Sequence, residues 1–421
     1  MPCHRPHRTA FALGLLAALP LLAATTARAD DSELADLKAR LARLEAQQAA
    51  APAASSIGTQ FSYRGYIKTD ALFSRFSDGE VASNNGLRDF YSPAAIPVSG
   101  APASRVFDAH AKQSRFIFGS STPAGDKAVK THFEIDFMSA VDGNERVSNG
   151  YEPELRQAFV HYDRWLVGQA WSTFQDVAAL PDSLDFVGPS DGTVFSRQPQ
   201  LRYTQGGFSI ALENSETTVT GFAGTCTTTP VNTCNTVSGD GRLPDLALRQ
   251  VWKGSAGHVS VAGLLRELAT QDATGQRHQE TGAGLSVSGL WRLGAQSDLR
   301  FMLTGGSGIG RYVGLNLAND VAEDAAGALE TINVSAGFVA LHHRFSPQWR
   351  SMASVSQFRA DHPAASGGSV TRDVQSLMAN LVWTPVGKLD VGIELLSAVR
   401  ETEAGEKGRL ERVQFSSKYS F

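Results

Sequence analysis

What this chain of 421 residues lacks narrows its class before any motif is read. No apolar run approaches the roughly 20 residues that a membrane-crossing helix needs, which excludes a helical membrane protein. Charge is sparse, at 19% of residues, and no basic excess marks a nucleic-acid surface: 38 Lys and Arg face 42 Asp and Glu, for a net charge of -4. Cysteine is nearly absent, with three in all. Aromatics, in contrast, are plentiful. The 22 Phe, 8 Tyr and 6 Trp are more apolar anchors than a disordered chain carries. Few charges beside 40 glycines describe a protein whose surface is solvated in part by something other than water.

Residues 1–29 read as a secretory signal. Arg5 and Arg8 form its positive region, Phe11 to Ala24 its apolar core and Ala27-Arg28-Ala29 its cleavage site. Its removal takes three arginines and no acid from a chain of net -4, leaving -7. Cys3 departs with it. Cys226 and Cys234 remain, an even pair in an oxidising compartment, and are expected to form a loop disulfide; two thiols without a nearby His make a poor metal site. Residues 30–48 are expected to be a helix. Leu34, Leu37, Leu41 and Leu44 fall on the a and d positions of a heptad repeat. Two heptads are unstable alone, so a frayed amphipathic helix and an oligomerising coiled coil both fit the pattern. Residues 49–59 are a linker.

From residue 60 to 421 the period switches to two. Val129, Thr131, Phe133, Ile135 and Phe137 interleave with Lys130, His132, Glu134 and Asp136. Phe61, Tyr63, Ile67, Ala71 and Phe73 do so with Arg64, Lys68 and Asp70. A strand puts these sets on opposite faces. About sixteen such segments begin near residues 61, 112, 128, 155, 165, 200, 208, 246, 258, 281, 299, 331, 349, 374, 389 and 409. The odd connections are long (75–111, 171–199, 215–245, 305–330), and the even ones are tight turns such as Asp163-Arg164 and Gly206-Gly207. Segments of membrane-crossing length, joined by alternating long and short connections, predict an all-β transmembrane fold: a 16-stranded antiparallel barrel with both ends in the periplasm.

A barrel of sixteen strands encloses a water channel unless it is plugged. The third connection, near 171–199, is the expected constriction loop. Its Asp176, Asp182, Asp185 and Asp191 are expected to face the lumen while Leu180, Leu184, Phe186 and Val187 hold it to the wall. Parity points Arg64, Lys68, Arg115, Lys130, Arg202, Arg249 and Arg266 inward, with Asp70, Glu134, Asp136 and Glu213; for Arg156 parity is ambiguous. Cations gathered in the first half, with Arg197 at the end of the third loop, form a positive strip that biases which ions pass.

Certain segments resemble a known family. Leu87-Arg88-Asp89-Phe90-Tyr91-Ser92-Pro93 with Ile96-Pro97-Val98 looks like the first-loop motif of DcaP-type outer-membrane porins. Ala111-Lys112-Gln113-Ser114-Arg115-Phe116 is similar to their second strand. Gly168-Gln169-Ala170-Trp171-Ser172-Thr173-Phe174 and Arg197-Gln198-Pro199-Gln200-Leu201-Arg202-Tyr203-Thr204 resemble the segments flanking their constriction loop. The likeness covers the first half of the chain; the second half matches in architecture alone. It implies a homotrimer in the outer membrane of a Gram-negative bacterium, Leu34, Leu37, Leu41 and Leu44 in a trimeric stalk, and small anionic, dicarboxylate-like solutes. The acidic third loop argues against strict anion selectivity.

No enzyme motif emerges. Gly305-Gly306-Ser307-Gly308 lacks the spacing of a nucleophile elbow, and His342-His343 lie on opposite faces of a strand and cannot share a metal. No cofactor is expected, and outer-membrane lipid is the expected surroundings. The alternative to a porin is a structural anchor or adhesin barrel without open-channel activity.

Overall fold

The computed structural model describes residues 58–421, apart from 139–142, 145–147, 222–234, 239–240 and 272–274. The signal, the heptad leucines Leu34, Leu37, Leu41 and Leu44, and the pair Cys226 and Cys234 lie outside the described residues.

Within them a closed antiparallel barrel of sixteen strands forms. The strands are β1 (Gln60–Phe76), β2 in two pieces (Ser104–His110 and Arg115–Ala124), β3 (Lys127–Asp136), β4 (Glu154–Tyr162), β5 (Trp165–Trp171), β6 (Arg197–Gln205), β7 (Phe208–Glu213) and β8 (Asp245–Gly254). They continue as β9 (Gly257–Gln271), β10 (Arg277–Arg292), β11 (Ser297–Ser307), β12 (Asn333–Arg344), β13 (Trp349–Asp361), β14 (Thr371–Val386), β15 (Leu389–Thr402) and β16 (Lys407–Ser420). Each strand pairs with its successor, and β16 closes on β1 from Tyr66↔Ser420 to Phe76↔Leu410. Closure matters because hydrocarbon offers no partner to an open edge.

The alternation fixes which side meets lipid. Phe61, Tyr63, Ile67 and Phe73 of β1 are exposed outward, while Lys68, Asp70, Leu72, Ser74 and Phe76, of the opposite parity, are buried. Near the short turns the outer face carries Tyr63, Trp165, Trp252, Trp291, Trp349 and Trp383, and the last two stack 5.9 Å apart. Such amphipathic rings sit at the level of the headgroups and mark one rim of the apolar band.

Connections at that rim run two to four residues; at the opposite rim they run from four (403–406) to 31 (214–244). The last outer connection is thus as short as a turn, because Gly405 at φ 82° lets Thr402 N–H reach Glu406 O at 2.9 Å. The second strand also begins earlier than its sequence pattern indicates, at Ser104 rather than near Lys112. It breaks at 111–114, where Ala111 O and Ser114 N–H close a turn and Ser114 Oγ accepts from Lys68 N–H. That local turn competes with the ladder and separates the outer piece, whose residues alternate between exposed and less exposed from Ser104 to His110, from the inner one.

The interior is occupied unevenly. The first loop (77–103), third loop (172–196) and sixth loop (308–332) turn inward and share a buried apolar cluster with β9–β16. Leu87, Tyr91, Phe174, Ile309, Tyr312 and Phe338 belong to it.

Candidate functional site

The third loop makes a circuit of the inner wall, meeting successive strands in order. Glu213 on β7 accepts Ser172 Oγ and Thr173 N–H at 2.7 and 2.6 Å. Arg249 on β8 donates to Gln175 O, His258 on β9 lies 2.7 Å from Asp176, and Ser288 on β10 donates to the same carboxylate at 3.1 Å. Arg300 on β11 holds Leu180 O. Asp182 N–H is bound by His342 on β12, its carboxylate by Arg350 on β13 at 2.6 Å, and its carbonyl by Asn380 on β14. Glu394 on β15 accepts Leu184 N–H and Asp185 N–H, both at 2.9 Å, while Gln414 on β16 and Lys68 on β1 donate to Leu184 O.

Eleven consecutive strands therefore hold one loop. The circuit ends at Phe186, whose ring stands 5.1 Å from the Arg156 guanidinium on β4 and 6.0 Å from that of Arg115 on β2. The chain then returns. Asp191 meets β13 and β14, Gly192 presses on Gly337 of β12, and Phe195 N–H bonds Tyr312 O in the sixth loop.

The orientation expected for the loop's acids is reversed. Asp176, Asp182 and Asp191 turn to the wall, and Asp185 folds back to accept Val187 N–H, Gly188 N–H and Tyr91 N–H. Burial raises the Asp185 carboxyl above its ordinary range. The physical reason is supply: the wall offers hydroxyls, amides and guanidiniums, and buried carboxylates take whatever donors will satisfy them.

Among the predicted cations the structure draws a second distinction. Lys68 is buried 2.9 Å from Asp70. Arg115 and Arg156 both reach Glu134 and Asp136, at 2.8 to 3.3 Å, and Arg197 sits 3.5 Å from Glu154. Three guanidiniums here face three carboxylates, so their charge cancels. Parity fails to place Arg156 because the ladder slips between Glu134 and Ile135, a bulge that turns both Arg156 and Gln157 inward. Arg266 is fully buried between Asp245 at 3.0 Å and Asp320 at 2.7 Å.

Of the predicted cations, that leaves four with no carboxylate within 4 Å among the described residues. Arg64 and Lys130 are exposed near the short-turn rim. Arg202 and Arg249 are half-buried on β6 and β8. Among the described residues Arg202 donates only to Gln200 and Trp171 O, and Arg249 only to Gln175 O. No cluster of His, Cys, Asp and Glu suited to a metal occurs among the described residues.

The sequence matches the DcaP outer membrane protein family over residues 44–421. This chain belongs to that family. Among solved structures it is similar to the outer membrane channel DcaP of Acinetobacter baumannii, at 21% identity and a TM-score of 0.71, over 87% of this chain and 99% of that one. The anion-selective porin from Comamonas acidovorans aligns at 10% identity and TM-score 0.53 (86% and 100% of the chains), and Salmonella typhi OmpF at 10% and 0.52 (87% and 99%). These likenesses establish the fold. No curated protein matches. The DcaP resemblance visible in the first half of the sequence thus extends through the C-terminus.

Sequence reasoning missed the sixth loop of this DcaP-family barrel. Ile309, Tyr312, Val313 and Leu317 are buried against the wall, and Asp320 binds Arg266. A signal was present: four large apolar residues within nine positions are more than a solvated loop needs.

Proposed function

We propose that this outer-membrane barrel is a passive diffusion channel for small hydrophilic anions of the dicarboxylate kind, working as a homotrimer. One observation carries the reading. Where the third loop meets acids that have no cation, those acids are buried: Glu213, Glu394, Asp185 and Asp191 are each 4% exposed or less. Of the wall cations singled out from the sequence, the four that have no carboxylate, Arg64, Lys130, Arg202 and Arg249, reach solvent. A solute in the lumen therefore meets uncompensated positive charge, which attracts anions and supplies charge-assisted donors in place of water. The circuit of the third loop narrows the path along which they pass.

Family membership supports the reading, as does the channel function of the Acinetobacter DcaP and the anion selectivity of the Comamonas porin on the same fold. The heptad leucines Leu34, Leu37, Leu41 and Leu44 would join three barrels that already associate through their walls, which removes the objection that two heptads are unstable alone.

Single-channel recording in a planar bilayer under a KCl gradient tests it. The expected result is conductance in three correlated steps with a reversal potential on the anion side. Replacing Arg64, Lys130, Arg202 and Arg249 together with Glu moves that potential to the cation side, whereas replacing the neutralised Arg115 and Arg156 with Gln moves it less. An unchanged potential in the fourfold variant refutes the assignment. A folded but silent wild type favours the anchor or adhesin alternative, to which the apolar filling of the β9–β16 side lends weight.

A further inference from the structure

We infer that Asp191, Ser356 and Ser376 form a proton-binding site that latches the returning limb of the third loop to the wall, so that the channel's loop is held in acid and loosened towards neutrality. Ser356 Oγ lies 2.7 Å from Asp191 Oδ2, Ser376 Oγ lies 2.8 Å from Asp191 Oδ1, and the two hydroxyls are 2.6 Å from each other. Three contacts at hydrogen-bond length need three protons. The two serines bring two.

With the carboxylate ionised, both hydroxyl hydrogens go to Asp191 and the serine oxygens face each other at 2.6 Å with nothing between them. If one serine instead donates to the other, a carboxylate oxygen loses its serine donor. With Asp191 protonated, its O–H donates to one serine, that serine to the second, and the second back to the other carboxyl oxygen. The ring closes and every hydrogen is used.

The surroundings favour the neutral form. Asp191 is fully buried and no Lys, Arg or His pairs with it among the described residues. Tyr91 of the first loop faces it as an uncharged phenol. On its own loop the neighbouring carboxyl is Asp185, which also acts on Tyr91. From β12 it meets the segment at Gly337, and on β13 and β14 the residues flanking the serines are Ser354, Phe358, Val374 and Met378, none of them charged. Burial pushes the Asp191 carboxyl up to about 6. The sign follows: a carboxyl that binds its proton more tightly in the attached loop than in water strengthens attachment below its ordinary range near 3.8, and that contribution is lost as pH rises through about 6. The limb so held also carries Gly192 against β12 and Val194 against Met302 of β11, so its release alters the lumen on that side.

The test compares wild type with Asp191→Asn, whose amide supplies a donor and an acceptor to the same two serines at any pH. In bilayer recordings at fixed KCl, wild type is expected to be quiet at pH 5 and to show more frequent current interruptions at pH 7.5, with the change centred near pH 6. Asp191→Asn is expected to stay quiet throughout. Equal pH dependence in the two proteins, or none in wild type, overturns the latch. Should the asparagine variant misfold, the double variant Ser356→Ala/Ser376→Ala serves: its interruptions at pH 5 match those of wild type at pH 7.5, and wild-type behaviour refutes the site. Infrared difference spectra of the folded barrel give a reading independent of conduction. The protonated carboxyl band of wild type that fades between pH 5 and pH 7.5 is absent from Asp191→Asn; its persistence there overturns the assignment even if the pore is silent.

Discussion

The two sides of this barrel fill their interiors in different ways. Along β2–β6 the inward positions carry Arg115, Lys130, Glu134, Asp136, Arg156 and Arg202. Along β9–β15 they carry Ala262, Leu264, Met302, Phe338, Phe358 and Met378, packed under the sixth loop. One side solvates a passage and the other resembles the core of a soluble protein enclosed by a membrane wall. A sixteen-stranded wall is wide enough that both solutions fit within one circumference. Selectivity in such a pore depends less on how many charges point inward than on which of them already have a partner.

The packed side has the most to lose. Arg266 joins β9 to Asp245 at the head of β8 and to Asp320 in the sixth loop, and all three side chains are fully buried. Arg266→Met strands two carboxylates in a dry site and is expected to cost about 3–5 kcal/mol. Urea unfolding of the lipid-reconstituted barrel measures it, and proteolysis within 308–332 reports release of the loop. Neutralising the network as a unit, Asp245→Asn/Arg266→Met/Asp320→Asn, is expected to recover much of the loss, because the cost lies in the stranded charges. Equal destabilisation in the two variants would show that shape, not charge, holds the sixth loop.

A smaller effect separates packing inside from packing towards lipid. A methyl group added at Gly192 would lie 2.4 Å from Gly337 O and 2.6 Å from its carbonyl carbon, backbone that cannot step aside. Gly192→Ala is expected to cost about 1–3 kcal/mol and to displace the returning limb. At Gly263, on the outer face of β9, the same addition meets nothing within 4 Å, and Gly263→Ala is expected to stay within about 0.5 kcal/mol. Unfolding midpoints of the pair check both.

Those contrasts mark how far the sequence could be read. The barrel was legible because its instruction is local: a period of two repeated over Val129 to Phe137 or Leu389 to Leu395 decides the wall without reference to the rest of the chain. The partners of the third loop were not, because Asp191 finds Ser356 165 residues away and Asp182 finds Asn380 198 residues away. Composition identified the loop's acids but not the direction they turn, which depends on donors brought up by four later strands, β9, β10, β13 and β14. Arg156 shows the limit of parity itself, since a single bulge moves a residue across the wall. The free cations Arg202 and Arg249 were visible as inward residues. That Arg115 and Arg156 are neutralised needed the register of β3 against β4.

The weakest effect belongs to the seam where the barrel closes. Arg75 and Glu411 form an ion pair of 2.8 Å between β1 and β16, a geometry as good as that of the buried pairs. Both side chains are nearly half exposed, at 46% and 44%, so water already solvates each charge and salt screens their attraction. The seam also has other support: eleven register pairs from Tyr66 to Phe76, and Phe73 packed 6.3 Å from Phe415. Arg75→Ala is therefore expected to cost no more than about 1 kcal/mol, and less as salt is raised. If unfolding in urea gave a loss comparable to that of Arg266→Met, burial could not be what distinguishes the two pairs. The comparison drawn between a packed interior and a solvated one would then have to be rebuilt on position in the barrel, with closure of the seam as the step that limits its stability.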